Sequence, residues 1–506
     1  MEQEKSMPAI VFEDVVFRYI KDGKRNILDH VSLEIEKGKI TVLMGASGCG
    51  KSTFAAVTAG LYPENGGYLE RGDVLLFGKQ VREMNPQTRA GYLTLMFQNP
   101  NLQFCMDTLR REMEFCLENM QVPAEDMDDR IEEAASQLDV KNLLDKPLQT
   151  LSGGEKQKAN LACLFLIGAQ CVLLDEPFAN IDKEAAGEIV HMIYDFRKAG
   201  GTVVAIDHRL DLWLDVADEI RILGKGGSVI ADGINKENLQ VYIPVLQREG
   251  LFYPKSRKKA EMTEKTSQPA IIMKDFSVCR DNPKRSWLGR KSDPREIPGN
   301  LLLDLAKAEF PQGALSAVLG PSGSGKTTTF LSVLKEHPYY GTIEIMGCDL
   351  KKIAKKDLYH IVGIVFQNPA NQFVTQNVKD EVIQSLSRWK PELSAEECLV
   401  RAEKLLKDYG LEAYQDYSPY MLSQGQQRRL AVLSVLAGGQ RILLLDEPTY
   451  GQDYRSAMSI INQIRREILE ENLTVIIITH DEQLAYTCAD RIYRLSDKRF
   501  VEEETD

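Results

Sequence analysis

The sequence contains the segment Gly45-Ala-Ser-Gly-Cys-Gly-Lys51-Ser52 and, in its second half, the segment Gly320-Pro-Ser-Gly-Ser-Gly-Lys326-Thr327. Both fit the pattern Gly-x4-Gly-Lys-Ser/Thr, and both follow an apolar run typical of a buried strand, at 40–44 and 315–319. A glycine-rich loop between a strand and a helix presents backbone N–H groups and the positive helix end to phosphate oxygens. The pattern therefore predicts a phosphate-binding loop in each half of the chain.

Four further landmarks occur once in each half, in the same order and at a nearly constant offset. They are Phe97-Gln98-Asn99-Pro100 and 366–369, Leu151-Ser-Gly-Gly154 and 422–425, Leu174-Asp-Glu-Pro177 and 445–448, and His208 and His480. This shared register predicts two homologous domains, 8–234 and 270–504, joined by a linker at 235–269. An insertion at 281–298 has no match in the first half.

Composition limits the classes of function. The net charge of −12 repels nucleic-acid backbones, so we expect no general nucleic-acid binding. The longest apolar run, 161–174, is shorter than the roughly 20 residues that cross a bilayer, and residues 1–9 lack the apolar region of a secretory signal. We therefore expect a cytoplasmic chain, and any membrane channel would belong to another protein.

The residues around the two phosphate loops predict nucleotide hydrolysis. Lys51 and Lys326 would bring a positive charge to the phosphates, and the hydroxyls of Ser52 and Thr327 would bind Mg²⁺. The carboxylates of Asp175 and Asp446 follow apolar strand-like runs, which would hold them beside that ion at the carboxyl edge of a sheet.

The acids that follow, Glu176 and Glu447, are predicted to act as general base or to orient the attacking water. The alternative is an ordinary surface acid after a core strand, and the matching register in two halves favours the catalytic interpretation. His208 and His480 follow strand-like runs at nearly equal separations from these acids. We predict that both histidines contact the γ-phosphate, although a histidine at a strand end is often only structural.

Taken together, the Leu-Ser-Gly-Gly-Glu155 segment and its surroundings resemble the signature of ATP-binding-cassette proteins. The resemblance covers nearly all of both halves. It implies an α/β fold with two P-loop ATP-binding-cassette domains, each with a RecA-like mixed sheet core, an antiparallel β region and a helical subdomain. In that family the halves pair head to tail, so Lys51 would share one ATP with Ser423 and Gly425.

Motif and resemblance together assign the following candidate residues. ATP contacts are expected from Tyr19, from Gly45, Ala46, Ser47, Gly48, Cys49, Gly50, Lys51, Ser52 and Thr53, from Gly320, Pro321, Ser322, Gly323, Ser324, Gly325, Lys326, Thr327 and Thr328, and from Ser152, Gly153, Gly154, Ser423 and Gly425. The expected catalytic residues are Glu176, Glu447, His208 and His480, and the expected Mg²⁺ ligands are Ser52, Gln98, Asp175, Thr327, Gln367 and Asp446.

The order Phe-Gln-Asn-Pro-x-x-Gln at 97–103 and 366–372 is similar to the ATPases of energy-coupling-factor (ECF) importers. Such importers take up vitamins, vitamin precursors or metal ions through a transmembrane coupling subunit and a small substrate-capturing membrane protein. The resemblance implies that the chain lies at the cytoplasmic face of the membrane, and that the segments after Gln98 and Gln367 receive helices of the coupling subunit. Because the capturing pocket belongs to another chain, the substrate is not read from these residues, and a thiamine-type pyrimidine precursor is our expectation.

Three departures predict that the two ATP sites are unequal. Arg280 stands where the first half has Tyr19, Gln424 replaces a glycine of the signature, and the loops at 179–182 and 450–453 differ.

Two alternatives remain at this stage. A soluble tandem-cassette ATPase of the translation type would act on ribosomes, but such proteins usually have a long basic connector. A DNA-repair ATPase would need long insertions between the motifs. The chain from Gln98 to Ser152, like the chain from 367 to 423, has room only for a compact helical subdomain.

Overall fold

The computed structural model describes residues 7–21, 23, 26–97, 103–178, 181, 183–251, 268–281, 293–321, 323–449 and 454–503. The chain divides into two compact units between residues 254 and 255. Both units have the predicted α/β fold. Within the described ranges, no helix combines the length and the apolar character needed to cross a membrane.

The first unit alternates strands and helices. Its strands are β1 (Ile10–Arg18), β2 (Leu28–Ile35), β3 (Ile40–Gly45), β4 (Tyr68–Leu76), β5 (Lys79–Gln80), β6 (Leu93–Met96), β7 (Cys171–Asp175), β8 (Thr202–Asp207), β9 (Glu219–Leu223) and β10 (Val229–Ile234). Its helices are α1 (Lys51–Thr58), α2 (Pro86–Ala90), α3 (Leu109–Asn119), α4 (Ala124–Gln137), α5 (Gly153–Leu166), α6 (Lys183–Lys198) and α7 (Leu239–Glu249).

The second unit repeats this order. Its strands are β11 (Pro269–Cys279), β12 (Leu301–Pro311), β13 (Leu315–Leu319), β14 (Tyr340–Ile345), β15 (Cys348–Asp349), β16 (Val362–Val365), β17 (Ile442–Asp446), β18 (Thr474–Thr479), β19 (Arg491–Ser496) and β20 (Arg499–Glu503). Its helices are α8 (Lys326–Val333), α9 (Lys355–Ile361), α10 (Val378–Trp389), α11 (Ala395–Asp408), α12 (Gln424–Ala437), α13 (Tyr454–Glu471) and α14 (Glu482–Cys488).

Each unit contains one antiparallel sheet and one largely parallel sheet. In the described part of the first unit the orders are β2-β1-β4-β5 and β10-β9-β3-β8-β7-β6, and in the second they are β12-β11-β14-β15 and β16-β17-β18-β13-β19-β20. Among these described strands, only the β9–β10 and β19–β20 pairs run antiparallel in the larger sheets. Strands β3, β7 and β8 are buried along their whole length, as expected for parallel strands covered on both faces. The phosphate-loop strand therefore lies in the sheet interior.

A separate apolar cluster forms a helical subdomain in each unit. In the first unit, α3, α4 and α5 pack through residues such as Met113, Ile131 and Ala162. Helix α5 begins with a capping box, in which the Ser152 hydroxyl accepts from the backbone N–H of Glu155 and the Glu155 carboxylate accepts from the N–H of Ser152. The signature segment is thus fixed as the start of a helix, and α12 begins in the same way at Ser423.

The segment predicted as the linker contains a helix that packs on the first unit. Helix α7 lies inside the segment 235–269, and Leu239, Leu246 and Leu251 are buried against the core of the first unit. Burial of these leucines against that core holds the segment on the unit. The first domain therefore extends to at least residue 251, whereas the basic run 255–259 and most of the insertion 281–298 lie outside the described residues.

Candidate functional site

The two phosphate loops connect the central strands to the helices that follow them. Strand β3 leads to α1 and β13 leads to α8, with Gly50 and Gly325 as N-caps. Both glycines adopt left-handed backbone angles, φ 113° and 95°, which a residue with a Cβ adopts only with strain. A Cβ at Gly50 would also lie 3.0 Å from the carbonyl oxygen of Ile27. These positions require glycine for the loop to turn into the helix.

The lysine of each loop folds back over the loop that carries it. Lys51 Nζ donates to the carbonyl oxygens of Gly45 at 2.6 Å and Ala46 at 3.1 Å. Lys326 Nζ donates to Gly320 at 2.8 Å and Pro321 at 2.7 Å. Both lysines are at most 9 % exposed, so each loop surrounds the ammonium group of its own lysine. Of the remaining predicted loop residues, Ser322 lies outside the described residues.

A buried aspartate lies close to each loop, at the end of a strand that is separated from the phosphate-loop strand by one other strand of the sheet. Thr327 Oγ1 lies 2.7 Å from Asp446 Oδ2, and in the first unit a hydrogen bond joins Ser52 and Asp175. Burial, with the adjacent Glu176 adding to it, raises the pKa of Asp175 to about 7. Burial likewise raises the pKa of Asp446 to about 6, and the hydrogen bond from Thr327 opposes the rise. Each carboxylate therefore lies where a cation would favour its ionised form.

These oxygens fit the metal that the fold implies. A hydroxyl and a carboxylate are hard ligands, and Mg²⁺ uses one or two protein ligands together with phosphates and water. Among the described residues, no group of three or more His, Cys, Asp or Glu side chains could hold an ion alone. Gln98 lies outside the described residues, and Gln367 is exposed in its loop.

The predicted acid and histidine lie side by side in both units. His480 Nδ1 is 3.0 Å from Glu447 Oε1, and His208 Nδ1 is 3.6 Å from Glu176 Oε1. Both glutamates have a left-handed φ of 51°, and their N–H groups donate to the next strand, at Ile478 and Ile206. The turn after β7 and β17 therefore directs both acids toward the histidines.

Asp207 is a charged residue in the first site that the sequence analysis missed. It is 2 % exposed, and its carboxylate accepts from the N–H of His208 at 2.7 Å and from Trp213 Nε1 at 2.9 Å. Burial raises the pKa of Asp207. Burial disfavours the charged imidazole of His208 and by itself would lower its pKa. The carboxylates of Glu176 and Asp207 outweigh this effect and raise the pKa of His208 above its ordinary value. The second unit has Thr479 at this position, and this difference could have been read by aligning the two halves.

The last glutamine of Phe-Gln-Asn-Pro-x-x-Gln closes the loop in each unit. Gln103 Oε1 accepts from the N–H of Phe97 at 3.0 Å, and its Nε2 donates to the carbonyl of Leu95 at 2.8 Å. In the second unit, Gln372 accepts from the N–H of Phe366 at 3.3 Å. The motif spacing thus has a structural cause, since the glutamine at the end of the motif satisfies the N–H at its start.

A buried glutamate on the next helix holds the segment that leaves this loop. Glu112 on α3 accepts from the N–H groups of Cys105 and Met106, both at 2.8 Å. Glu381 on α10 accepts from the N–H groups of Val374 and Thr375, both at 3.0 Å. Both glutamates are at most 5 % exposed. This pair was not predicted from the sequence, although the equal spacing of the two glutamates after the two loops could have revealed them.

The positions aligned for base stacking differ between the units. The Tyr19 hydroxyl lies 2.7 Å from Thr53 Oγ1 at the start of α1, and the ring is 47 % exposed with an edge contact to Tyr62. In the second unit Arg280 is exposed, and its backbone N–H donates to the carbonyl of Asn300. Only the first unit therefore presents an aromatic ring beside its phosphate loop at this position.

Comparison with known proteins gives the family. A family model described as ABC transporter matches residues 28–179 and 303–450. The chain belongs to the ABC transporter family. This ABC ATPase contains two cassettes, so the α/β fold and the ATPase activity predicted from sequence are confirmed.

Relatives with two cassettes match this ABC ATPase along its length. A protein of Bacillus subtilis strain 168, with the provisional name HMP/thiamine import ATP-binding protein YkoD, is 35% identical over 96% of this chain and 90% of its own. A provisionally named ABC transporter ATP-binding protein of Caldanaerobacter subterraneus subsp. tengcongensis is 30% identical over 93% of this chain and 87% of its own.

Solved structures support the fold. A chain of the assembly of ribosome-bound archaeal Pelota and ABCE1 matches 97% of this ABC ATPase and 78% of that chain, with a TM-score of 0.67 and 17% identity. The RNase-L inhibitor matches 97% of this chain and 90% of that chain, with a TM-score of 0.62 and 18% identity. At these identities the likeness shows the fold alone.

Proposed function

We propose that this ABC ATPase is the ATP-hydrolysing motor subunit of a membrane importer of the ECF type, for a vitamin, a vitamin precursor or a metal ion. The observation that carries the proposal is the full-length match, through both cassettes, to a relative whose name assigns it to HMP/thiamine import. Its partners would be a transmembrane coupling subunit and a small substrate-capturing membrane protein, which would hold the chain at the cytoplasmic face of the membrane.

The geometry of each unit supports the roles proposed for its residues. Lys51 and Lys326 would exchange their loop carbonyls for phosphate oxygens of ATP, since their ammonium groups already lie within the loops. When bound, Mg²⁺ would neutralise charge that develops on the phosphates. Asp175 and Asp446, with Ser52 and Thr327, would hold it.

The paired acid and histidine would act on the attacking water. Glu176 and Glu447 would orient that water and accept its proton. His208 and His480, which lie against these carboxylates, would donate to the γ-phosphate. With the halves paired head to tail, the hydroxyl and helix N-terminus at Ser152 or Ser423 would complete the pocket of the opposite half.

A groove in the second unit supports the proposal that a helix of a membrane partner binds there. It has a volume of about 290 Å³ and lies between α9, β16, α10 and α12. Its lining combines apolar side chains such as Val374 and Trp389 with the loop-closing Gln372. A partner helix in this groove would contact the segment that Glu381 holds, and would thereby sense changes in the loop at Gln367.

The alternative function is that of a tandem-cassette ATPase acting on ribosomes. It is favoured by the full-length structural likeness to ABCE1, which is a likeness of fold. The two proposals differ in the partner that they predict.

Affinity purification of the tagged chain from its native cell distinguishes them. Import predicts that the chain sediments with membranes and that small hydrophobic membrane proteins co-purify in detergent. Co-purification with ribosomal subunits, and recovery from the supernatant after membranes are removed, would contradict import.

A further inference from the structure

The two signature helices differ in charge at a buried position. Helices α5 and α12 each have 14 residues and begin after the matching serines Ser152 and Ser423. The fifth residue is Gln157 in α5 and Arg428 in α12. Both side chains are buried, at 1 % and 4 % exposed. The second unit therefore places a guanidinium in its interior where the first unit has a neutral amide.

Arg428 contacts the turn that carries the proposed catalytic acid. Its Nη1 donates a hydrogen bond to the carbonyl oxygen of Glu447. On the other side, the N–H of Glu447 donates to the carbonyl of Ile478 at 2.9 Å. The peptide groups on both sides of this left-handed residue are therefore held, one by strand β18 and one by helix α12. A charge-assisted hydrogen bond inside a protein is stronger than a neutral one.

We propose that Arg428 is a positioning residue for Glu447, and that it ties the signature helix of the second unit to the acid of the same unit. The proposal rests on the function proposed above, in which Glu447 orients the attacking water. Arg428 thus links the helix that begins after Ser423 to the turn that carries Glu447 through a single side chain within one unit.

The test measures steady-state ATP hydrolysis of the full chain with Arg428→Gln, which supplies the residue of the first unit. Arg428→Gln is compared in the Glu176→Gln background, where the second site alone keeps its acid, and in the Glu447→Gln background. We expect kcat to fall roughly tenfold in the first background with KM within about twofold, because a displaced acid slows the chemical step and leaves binding unchanged. In the second background we expect a change below about twofold, since Glu447 no longer has a carboxylate to position.

Two further variants control for folding and for charge. Arg429→Gln removes the neighbouring arginine, whose Nη1 donates to the carbonyl of Tyr409 at 3.3 Å, and is expected to leave kcat within about twofold. Arg428→Lys keeps a donor and a charge, and is expected to recover at least about a third of the lost kcat.

The outcomes separate the inference from the proposed function. Normal turnover in the Glu176→Gln, Glu447→Gln double variant would remove the function proposed for the acids. If the double variant has no ATP turnover, but Arg428→Gln lowers kcat equally in both backgrounds or in neither, then the inference about Arg428 is wrong. The function proposed for the acids then stands. If one acid substitution already stops both sites, the comparison is made in the otherwise unchanged chain. There, an unchanged kcat, or a loss that Arg428→Lys does not reduce, overturns the inference.

Discussion

The imidazole Nδ1 of His480 lies 3.0 Å from Oε1 of Glu447. The matching atoms of His208 and Glu176 are 3.6 Å apart. The same two side chains are thus brought together twice in one chain, from strands β7 and β8 in one unit and from β17 and β18 in the other. This repetition is why we treat both units as candidate hydrolytic sites, and the departures at Arg280 and Gln424 are why we expect them to work unequally.

Replacing both acids, Glu176→Gln and Glu447→Gln, should lower ATP turnover by at least about 100-fold, because the attacking water loses its proton acceptor. ATP binding should persist, since the lysines and the aspartates remain. Turnover is measured by phosphate release and binding by titration with a fluorescent ATP analogue. Glu470→Gln, an exposed acid on α13, is the matched control. Normal turnover in the double variant would show that the acids are assigned wrongly.

The phosphate-loop lysines should not be equivalent. Lys51→Ala and Lys326→Ala each remove the charge expected to bind ATP phosphates, but the second half differs at Arg280 and Gln424. We therefore expect the two variants to reduce turnover to different levels, by at least about threefold relative to each other. The measurement is kcat for each variant beside the unchanged chain. Equal losses would count against functional asymmetry.

Asp175→Asn should stabilise the nucleotide-free chain at alkaline pH. Burial raises the pKa of Asp175 from 3.8 to about 7, so the folded state binds this proton more tightly than the unfolded state. The stability from this group is present below about pH 4 and is lost as the pH rises to 7. The asparagine should therefore gain about 1–3 kcal/mol at pH 8, and the gain should grow between pH 4 and 7.

Urea unfolding at a series of pH values checks this prediction, with Asp215→Asn, an exposed aspartate, as the control. A gain that is the same at pH 4 and pH 8 would contradict the raised pKa. In the presence of Mg²⁺ and ATP the effect should reverse, because the substituted side chain no longer supplies a carboxylate to the ion.

Glu381→Gln should destabilise the second unit by about 1–2 kcal/mol, because the buried carboxylate that accepts from Val374 and Thr375 becomes a neutral amide. The free energy of unfolding in urea measures the loss. Glu392→Gln, which changes an exposed acid after α10, should stay within about 0.5 kcal/mol of the unchanged chain. Equal stability of both variants would show that the carboxylate does not hold this segment.

The sequence was enough to predict the phosphate loops, their flanking strands and the order of both domains. These features depend on local sequence patterns, and each pattern occurs once in each half of the chain. Strand β13 occupies 315–319, as the apolar run predicted. Helix α7 could not be placed in the first unit from a weak local pattern, because it is packing of Leu239 and Leu246 on a distant core that folds it there. Arg428 was missed for a related reason, because the burial of its charged side chain and the groups that it meets are visible only in three dimensions. Asp207, by contrast, differs from Thr479 in an alignment of the two halves.

We propose that each cassette completes the ATP pocket of the other. This proposal is tested most directly by an experimental structure of the Glu176→Gln, Glu447→Gln chain with Mg²⁺ and ATP. We predict that Ser423 and Gly425 contact the γ-phosphate of the ATP bound at Lys51, and that Ser152 and Gly154 contact the ATP bound at Lys326. Two ATP molecules whose γ-phosphates touch residues of a single cassette only would contradict the account.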